Sequence, residues 1–244
     1  MPPPRDEFLS TALGAPRAIS PGLPDYLADT YTWAYINPRA VRLLDRPIVV
    51  STILWGNADR LMRAALAQIA PASRVLQAAH VYGTFVQRLA DRIGPRGSLE
   101  VVDVAPVQVE RARAKLANRP HASVRRCDIA DPACSGGTSY DAVSCFFLLH
   151  EVPEWARRRI VDNLLAAVRP GGTIVFVDYH RPHPLHPLRP VMEIVFRWLE
   201  PFASSLFDAT IESRSARARD FTWKRSTRFL GLYQVVVGTR KNPA

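Results

Sequence analysis

The sequence predicts an α/β protein on a seven-stranded, mostly parallel sheet that ends in an antiparallel hairpin. Between residues 74 and 178, short apolar runs alternate with segments of helical periodicity, the mark of a parallel sheet wrapped by helices. Glycine- and proline-rich breaks, Gly94-Pro95-Arg96-Gly97 and Arg169-Pro170-Gly171-Gly172, punctuate that alternation. Two last apolar runs then flank a turn near Gly231.

In chain order, residues 1–24 hold Pro2, Pro3, Pro4, Pro16, Pro21 and Pro24 and read as a loosely held arm. Residues 25–70 read as a helical cap. Asp25 caps a first helix through Tyr31, Pro38 opens a second, and Asn57 or Asp59 opens a third with apolar residues at three- and four-residue spacing. Residues 71–244 hold the sheet. Its strands are expected at Arg74–Ala79, Ser98–Val104, Ala122–Cys127, Tyr140–Phe147 and Thr173–Asp178, with helices Thr84–Arg92, Pro106–Asn118 and Glu154–Val168 between them. The Arg169–Gly172 segment is expected to break the last of these helices. Residues 180–210 read as an insertion with a helix Val191–Leu199 and a second apolar stretch to Phe207; Phe221–Phe229 and Leu232–Thr239 form the hairpin.

Composition bounds the function classes. The 244 residues are enough for one domain with a buried core, and 48% hydrophobic content excludes a disordered chain. No run reaches the roughly 18–20 uncharged apolar residues of a membrane span; Val191 to Phe207 is interrupted by Glu193, Arg197 and Glu200. Asp6 and Glu7 and the lack of an apolar run near the start argue against a secretory signal. Cys127, Cys134 and Cys145 form no Cys-x-x-Cys pair and leave an odd count, which is read as buried thiols in a reduced, cytoplasmic compartment. The net charge of +10 would attract nucleic acid, an anionic membrane or an anionic small molecule. No basic run of five or more is present, so nucleic acid is not the expected partner.

In a doubly wound sheet, ligands bind beyond the carboxyl ends of the strands, where the strand order reverses. The first strand therefore delivers Gln77, Ala79, His80, Val81, Tyr82 and Gly83 to a ligand. Glycines are normally needed there for close backbone approach, yet only Gly83 is present, and it reads equally as a turn residue. Asp103, at the end of strand two beside Val104, follows Gly83 by 20 residues, the spacing of an acid that grips ribose hydroxyls. It reads alternatively as a helix cap. Cys127, Asp128 and Ile129 end strand three, with Asp128 placed to accept an adenine amino group and Ile129 to cover the ring; a turn cap is the alternative for Asp128. Strand four runs into Phe147-Leu148-Leu149-His150-Glu151-Val152-Pro153, where His150 and Glu151 are candidates for proton handling and His150 equally for a structural role.

These segments resemble an S-adenosylmethionine (SAM) methyltransferase, whose first loop would run hydrophobic-hydrophobic-Asp-x-Gly-x-Gly-x-Gly. Here Gln77 stands for the acid, and Ala79 and Val81 for two of the glycines. Leu149-His150-Glu151-Val152-Pro153 is similar to the Leu-His-x-x-Pro segment of quinone methyltransferases. Tyr31-Thr32-Trp33-Ala34-Tyr35-Ile36-Asn37-Pro38, Leu44-Asp45-Arg46 and Ile53-Leu54-Trp55-Gly56-Asn57, taken with the atypical loop, resemble the rhodoquinone-biosynthesis family RquA over roughly residues 25 to 240.

The resemblance implies a class I SAM-methyltransferase (Rossmann-like) fold and an unusual reaction. Ubiquinone would be converted to rhodoquinone by replacing a ring methoxy group with an amino group, with SAM as amino donor and Mn2+ assisting. It implies a protein peripherally attached at the cytoplasmic face of the inner membrane. A quinone ring should stack on aromatic faces, for which Tyr31, Trp33, Tyr35 and Trp55 are the candidates and core packing their alternative role. Tyr82 is the catalytic candidate of the loop, with a wall-forming role as the alternative. Residues 191–207 would hold the isoprenoid tail, touch the bilayer, or pack as an ordinary amphipathic helix. For the metal, His180-x-x-His183-x-x-His186, Asp178 and Glu151 are all open. A conventional SAM-dependent quinone methyltransferase and a non-catalytic SAM-fold binding protein are the competing readings.

Overall fold

A computed structural model describes residues 23–27, 38–135, 137 and 139–243. Three short helices precede the sheet: α1 (Pro38–Leu44), α2 (Pro47–Ile53) and α3 (Ala58–Leu66). Proline opens α1 and α2, where its missing N–H costs nothing. In α3 the spacing of Ala58, Leu61, Met62 and Ala65 puts one apolar face into the core. The predicted first helix is seen only at its start, with residues 25–27 helical; its continuation to Tyr31 lies outside the described residues.

The αβ alternation then runs β1 (Arg74–Ala78), α4 (Phe85–Ile93), β2 (Ser98–Asp103), α5 (Pro106–Leu116), β3 (Ala122–Arg126), α6 (Pro132–Ser135), β4 (Tyr140–Phe146), α7 (Glu154–Ala167) and β5 (Val168–Tyr179). Helices α8 (Arg189–Trp198) and α9 (Ala203–Leu206) follow, then the hairpin β6 (Phe221–Arg228) and β7 (Tyr233–Arg240). The seven strands are ordered β3-β2-β1-β4-β5-β7-β6. β1 to β5 pair in parallel, and β7 joins antiparallel between β5 and β6. Strand order reverses between β1 and β4, which opens the ligand crevice at their carboxyl ends.

The central strands bury both faces. One side of the sheet packs Leu61, Phe85 and Leu89 from α3 and α4; the other packs Ile160, Val161 and Leu164 from α7. Gly238 on β7 is fixed by packing, because a side chain there would strike the Trp223 ring at 2.7 Å.

Two expectations are corrected. Arg169–Gly172 does not separate helix from strand: α7 ends at Ala167, Val168 is already extended and pairs with Tyr140, and the four residues bulge out before pairing resumes at Ala142 and Thr173. Gly171, with φ of 71°, supplies the left-handed residue of that bulge. The cysteines are not all free thiols. The turn from β3 into α6 folds Cys134 back onto Cys127, with Cα atoms 5.7 Å apart, and the two form a disulfide that leaves Cys145 buried and free. The odd count concealed one pair plus one single thiol.

Candidate functional site

A cavity of about 520 Å³ opens at the carboxyl ends of β1 to β4, under α2 and α8. Its wall contains the sequence-predicted Ala79, Tyr82, Asp103, Val104, Cys127, Asp128, Ile129, His150, Glu151 and Trp55. Gln77 and Gly83 do not line it: Gln77 lies fully buried in β1, and Gly83 is held from behind. Tyr31, Trp33 and Tyr35 lie outside the described residues.

The loop after β1 is built around its missing glycines. Gln77 turns its amide inward, donating from Nε2 to the carbonyls of Ala78 (2.8 Å) and Ala79 (3.1 Å), while Oε1 is buried without a partner among the described residues. Ala79 takes φ of 63°, a left-handed backbone that favours glycine and costs an alanine roughly 1–2 kcal/mol. The turn thus places an alanine in a backbone conformation that suits glycine.

His80 donates its backbone N–H to Asp103 Oδ2 at 2.7 Å. Its ring meets Gln108 on α5, with Nδ1 and Oε1 2.7 Å apart, and Gln108 Nε2 donates to the Tyr82 hydroxyl at 2.8 Å. With the Gln108 amide donating to Tyr82, its oxygen accepts from Nδ1, so His80 Nε2 carries a lone pair. That nitrogen is buried and has no partner among the described residues. Burial, reinforced by the charge of Lys115, pushes the ring down to about 4.

Asp103 accepts from His80 and Ala105 N–H groups (2.7 and 2.8 Å), fixing the turn into α5 and keeping lone pairs for a ligand. Burial raises its carboxyl to about 6 against these donors. Asp128 accepts from Ala130 N–H at 2.9 Å in a side-chain turn at the cavity wall. Each aspartate therefore fixes a turn and also lines the cavity; the N-cap of α5 itself is Ala105, with no side-chain capping bond.

The strongest positional device was missed from sequence. Asp45, just after α1, is buried and accepts the Gly83 N–H at 2.9 Å. Its carboxylate also pairs with Lys115 and Arg111, which stand four residues apart on α5. Lys115 further donates to the Gly83 carbonyl at 2.6 Å. One carboxylate and two cations thereby clamp the loop after β1 between α1 and α5. Leu44-Asp45-Arg46 stood out as a motif, but its partners lie 66 and 70 residues away, beyond any local signal.

His150 sits in the single 3₁₀ turn after β4, with Nδ1 2.8 Å from Asp178 Oδ1 on β5. Asp178 also accepts the Leu149 and Tyr179 N–H groups, so its orientation is fixed. Nε2 lies 3.6 Å from Glu151 and 3.9 Å from Glu200, which reaches in from beyond α8. Burial opposes charge on this ring, but Asp178, then Glu200 and Glu151, outweigh it and raise it to about 9. Asp178 entered the sequence reading only as a metal candidate, and Glu200 only as a break in an apolar run.

No group of three or more His, Cys, Asp or Glu side chains is placed to hold a metal among the described residues. The three histidines of the 180–186 loop turn to backbone instead. His180 donates to Gly231, His183 accepts from Leu185, and His186 bridges the Leu188 N–H and the Phe229 carbonyl. They pin the loop to the hairpin turn.

Residues 75–172 match the family model of a methyltransferase domain. Over 134 residues the chain is 31% identical to O-methyltransferase FrzF of a Cladobotryum species, an alignment covering 55% of this chain and 31% of FrzF. Among solved structures, an O-methyltransferase family protein from Burkholderia thailandensis superposes with a TM-score of 0.65 at 15% identity, over 89% of this chain and 62% of that one. N-methyltransferase NodS from Bradyrhizobium japonicum WM9 superposes with a TM-score of 0.54 at 18% identity, over 75% and 94%. The chain thus spans about a third of FrzF and about three fifths of the Burkholderia protein. Helices on both faces of a sheet ordered β3-β2-β1-β4-β5-β7-β6, with β7 reversed, give this chain the class I SAM-methyltransferase fold, and the match to a methyltransferase-domain model covers its residues 75–172.

Proposed function

We propose that the chain is a SAM-dependent transferase acting on a quinone, and that it converts ubiquinone to rhodoquinone by exchanging a ring methoxy group for an amino group. The observation that carries this reading is the loop after β1. Where the methyltransferase loop pattern that this segment resembles has a carboxylate, Gln77 presents a neutral amide committed to the backbone. Gln77 lies buried behind the cavity wall, so it acts through the loop it supports: with a neutral amide in place of a carboxylate, no charge at this position holds an ammonium in the cavity in its charged, non-nucleophilic form.

The residues present fit SAM. Asp103 and Asp128 offer acceptors on adjacent strand ends, Ile129 offers an apolar face, and His80 Nε2, at the cavity wall, is buried without a partner among the described residues. One neighbour of this fold, NodS, was solved with S-adenosyl-L-homocysteine, at a TM-score of 0.50 and 18% identity. When bound, SAM would supply either an activated methyl group or, in this reading, the amine of its methionine end. The ring C–N bond then forms as the bond to methoxide breaks. The bond from nitrogen to the methionine carbon breaks with the quinone ring taking up the electron pair and water taking the carbon. The residues do not fit a manganese centre: the described side chains form no ligand set, and no step is derived through a metal.

The chain's own groups supply proton chemistry of both signs. His150, protonated at neutral pH, stands in the wall to give a proton to a departing methoxide or to hydrogen-bond a quinone carbonyl. Neutral His80 holds a lone pair in the cofactor loop. The mainly apolar cavity suits a quinone ring, with Trp55, Phe147 and Tyr179 among its walls.

A second reading, conventional O-methyl transfer to an aromatic hydroxyl, is favoured by the 31% identity to an O-methyltransferase. Mass analysis of the product from a short-tail ubiquinone with SAM separates the two. Amination leaves the quinone lighter by the difference between a methoxy and an amino group. A demethylated ubiquinone that gains one methyl, with ubiquinone itself untouched, supports the second reading and defeats the first.

A further inference from the structure

Cys127 and Cys134 join the cavity wall to the turn behind it. Cys127 follows β3, is half-buried and lines the cavity beside Asp128 and Ile129, whereas Cys134 is fully buried in α6. Their Cα atoms stand 5.7 Å apart, a span that suits a disulfide, and the bridge closes the segment carrying Asp128 and Ile129 into a ring. The Cys127 N–H donates to the Asp103 carbonyl at 3.0 Å, which ties the first cysteine to the end of β2. Asn163 Nδ2 holds the Ile129 carbonyl at 2.9 Å from α7. A shift of Cys127 is therefore passed to Asp103, Asp128 and Ile129, three walls of one cavity. Two features set this bridge apart from a structural staple. A ring this short restricts the unfolded chain less than a long one does, and a domain of this size buries a core that stands without one. Cys145 gives the contrast: it is free but enclosed in β4, where burial pushes its thiol up and leaves it inert.

We infer that Cys127 and Cys134 form a reversible redox site that a dithiol reductant opens, and that the bridged state holds the cavity in the form that binds SAM more tightly. A thiolate of the reductant attacks the sulfur of Cys127, the partner that lines the cavity, and a mixed disulfide forms as the bond to Cys134 breaks. Cys134 leaves as a thiolate, and the second thiol of the reductant then displaces Cys127. The two protons of the dithiol end on Cys127 and Cys134, and its two sulfurs end joined, so the chain gains two electrons and two protons. Because the bridged segment carries cavity walls, redox state and ligand affinity are linked, and the linkage is reciprocal. This inference rests on the assignment of the cavity to SAM and is independent of whether an amino or a methyl group is transferred.

The test measures SAM affinity by calorimetry on the full chain in three states: air-oxidised, reduced with dithiothreitol, and reoxidised with the cyclic disulfide of that reagent. Alkylation under denaturing conditions, read by mass, fixes the state of each sample, with one free thiol when bridged and three when reduced. The bridged chain should bind SAM at least roughly fivefold more tightly than the reduced chain, the lower end of coupling between linked sites, and reoxidation should restore the affinity. Saturating SAM should raise, by the same factor, the ratio of reduced to oxidised dithiothreitol at half reduction. C127S/C134S should bind like the reduced chain and ignore dithiothreitol; should that variant fail to fold, cycling of the wild-type chain decides by itself. Three alkylated thiols in the air-oxidised chain would overturn the inference, as would a dithiothreitol effect that survives in C127S/C134S. Equal, measurable affinity in the two states overturns this inference alone, whereas no SAM binding in any state overturns the SAM assignment with it.

Discussion

His80 and His150 line the same cavity from neighbouring strand ends, both are buried, and they sit on opposite sides of neutrality. His80 has an amide for its neighbour, so desolvation dominates and the ring is driven down to about 4. His150 has Asp178 at 2.8 Å and two glutamates beyond, so the same desolvation is overcome and the ring is driven up to about 9. Burial alone does not set a histidine's protonation; the charge of its hydrogen-bond partner decides it. Between roughly pH 4 and 9 the site therefore holds one neutral and one cationic imidazole.

The sharpest way to break this contrast is Asp178→Asn. The substitution keeps the shape, removes the largest charge holding His150 cationic, and should lower its pKa toward and below the ordinary 6.5. Turnover at neutral pH should fall by about 10²–10⁴-fold, the range for loss of a positioned acid. The pH–rate profile checks the cause: the variant's alkaline limb should move to lower pH, which mere structural damage would not do.

Asp45→Ala is next in size. It leaves Lys115 and Arg111 in a half-buried pocket without their counter-charge, and removing one partner of such a cluster costs about 3–5 kcal/mol when fully buried. Arg111 is a third exposed, so the loss should lie below that range. Denaturant melts measure it. SAM affinity should fall as well, because Gly83 loses its anchor.

Stability against pH carries the contrast in weaker form. A raised histidine contributes stability that is complete below the ordinary 6.5 and disappears as pH rises through about 9, which is His150. A depressed one contributes stability that is present above 6.5 and disappears as pH falls through about 4, which is His80. Their joint contribution should peak near pH 6.5, and H80Q should flatten only the acid side of thermal melts taken across pH.

Much of this was legible in the sequence, and what escaped shares one cause. The five parallel strands were found to within a residue or two, apart from the start of β5, because each is a short apolar run bounded by turn residues. The loop Gln77–Gly83, the acids ending β2 and β3, and His150-Glu151 were legible because chemistry-bearing residues at strand ends stand out against apolar runs. Asp45 with Lys115, Glu200 over His150, and the Cys127–Cys134 pair were not, since each depends on which distant side chains the chain return brings together. The bulged start of β5 was hidden because Arg-Pro-Gly-Gly signals a break whether or not pairing resumes on the same strand. Ala79 shows the converse, a position whose left-handed backbone the residue type does not announce. Ala79→Gly should therefore stabilise the chain, by up to roughly 1 kcal/mol once the extra freedom of glycine when unfolded is offset, measurable as a small rise in melting temperature.

The most direct measurement of the proposed chemistry follows a heavy-nitrogen label placed on the amine of SAM. With the purified chain and a short-tail ubiquinone, the account predicts an aminoquinone lacking one methoxy group and carrying the label. An aminated product without the label, or a product that has gained a methyl group, would contradict it.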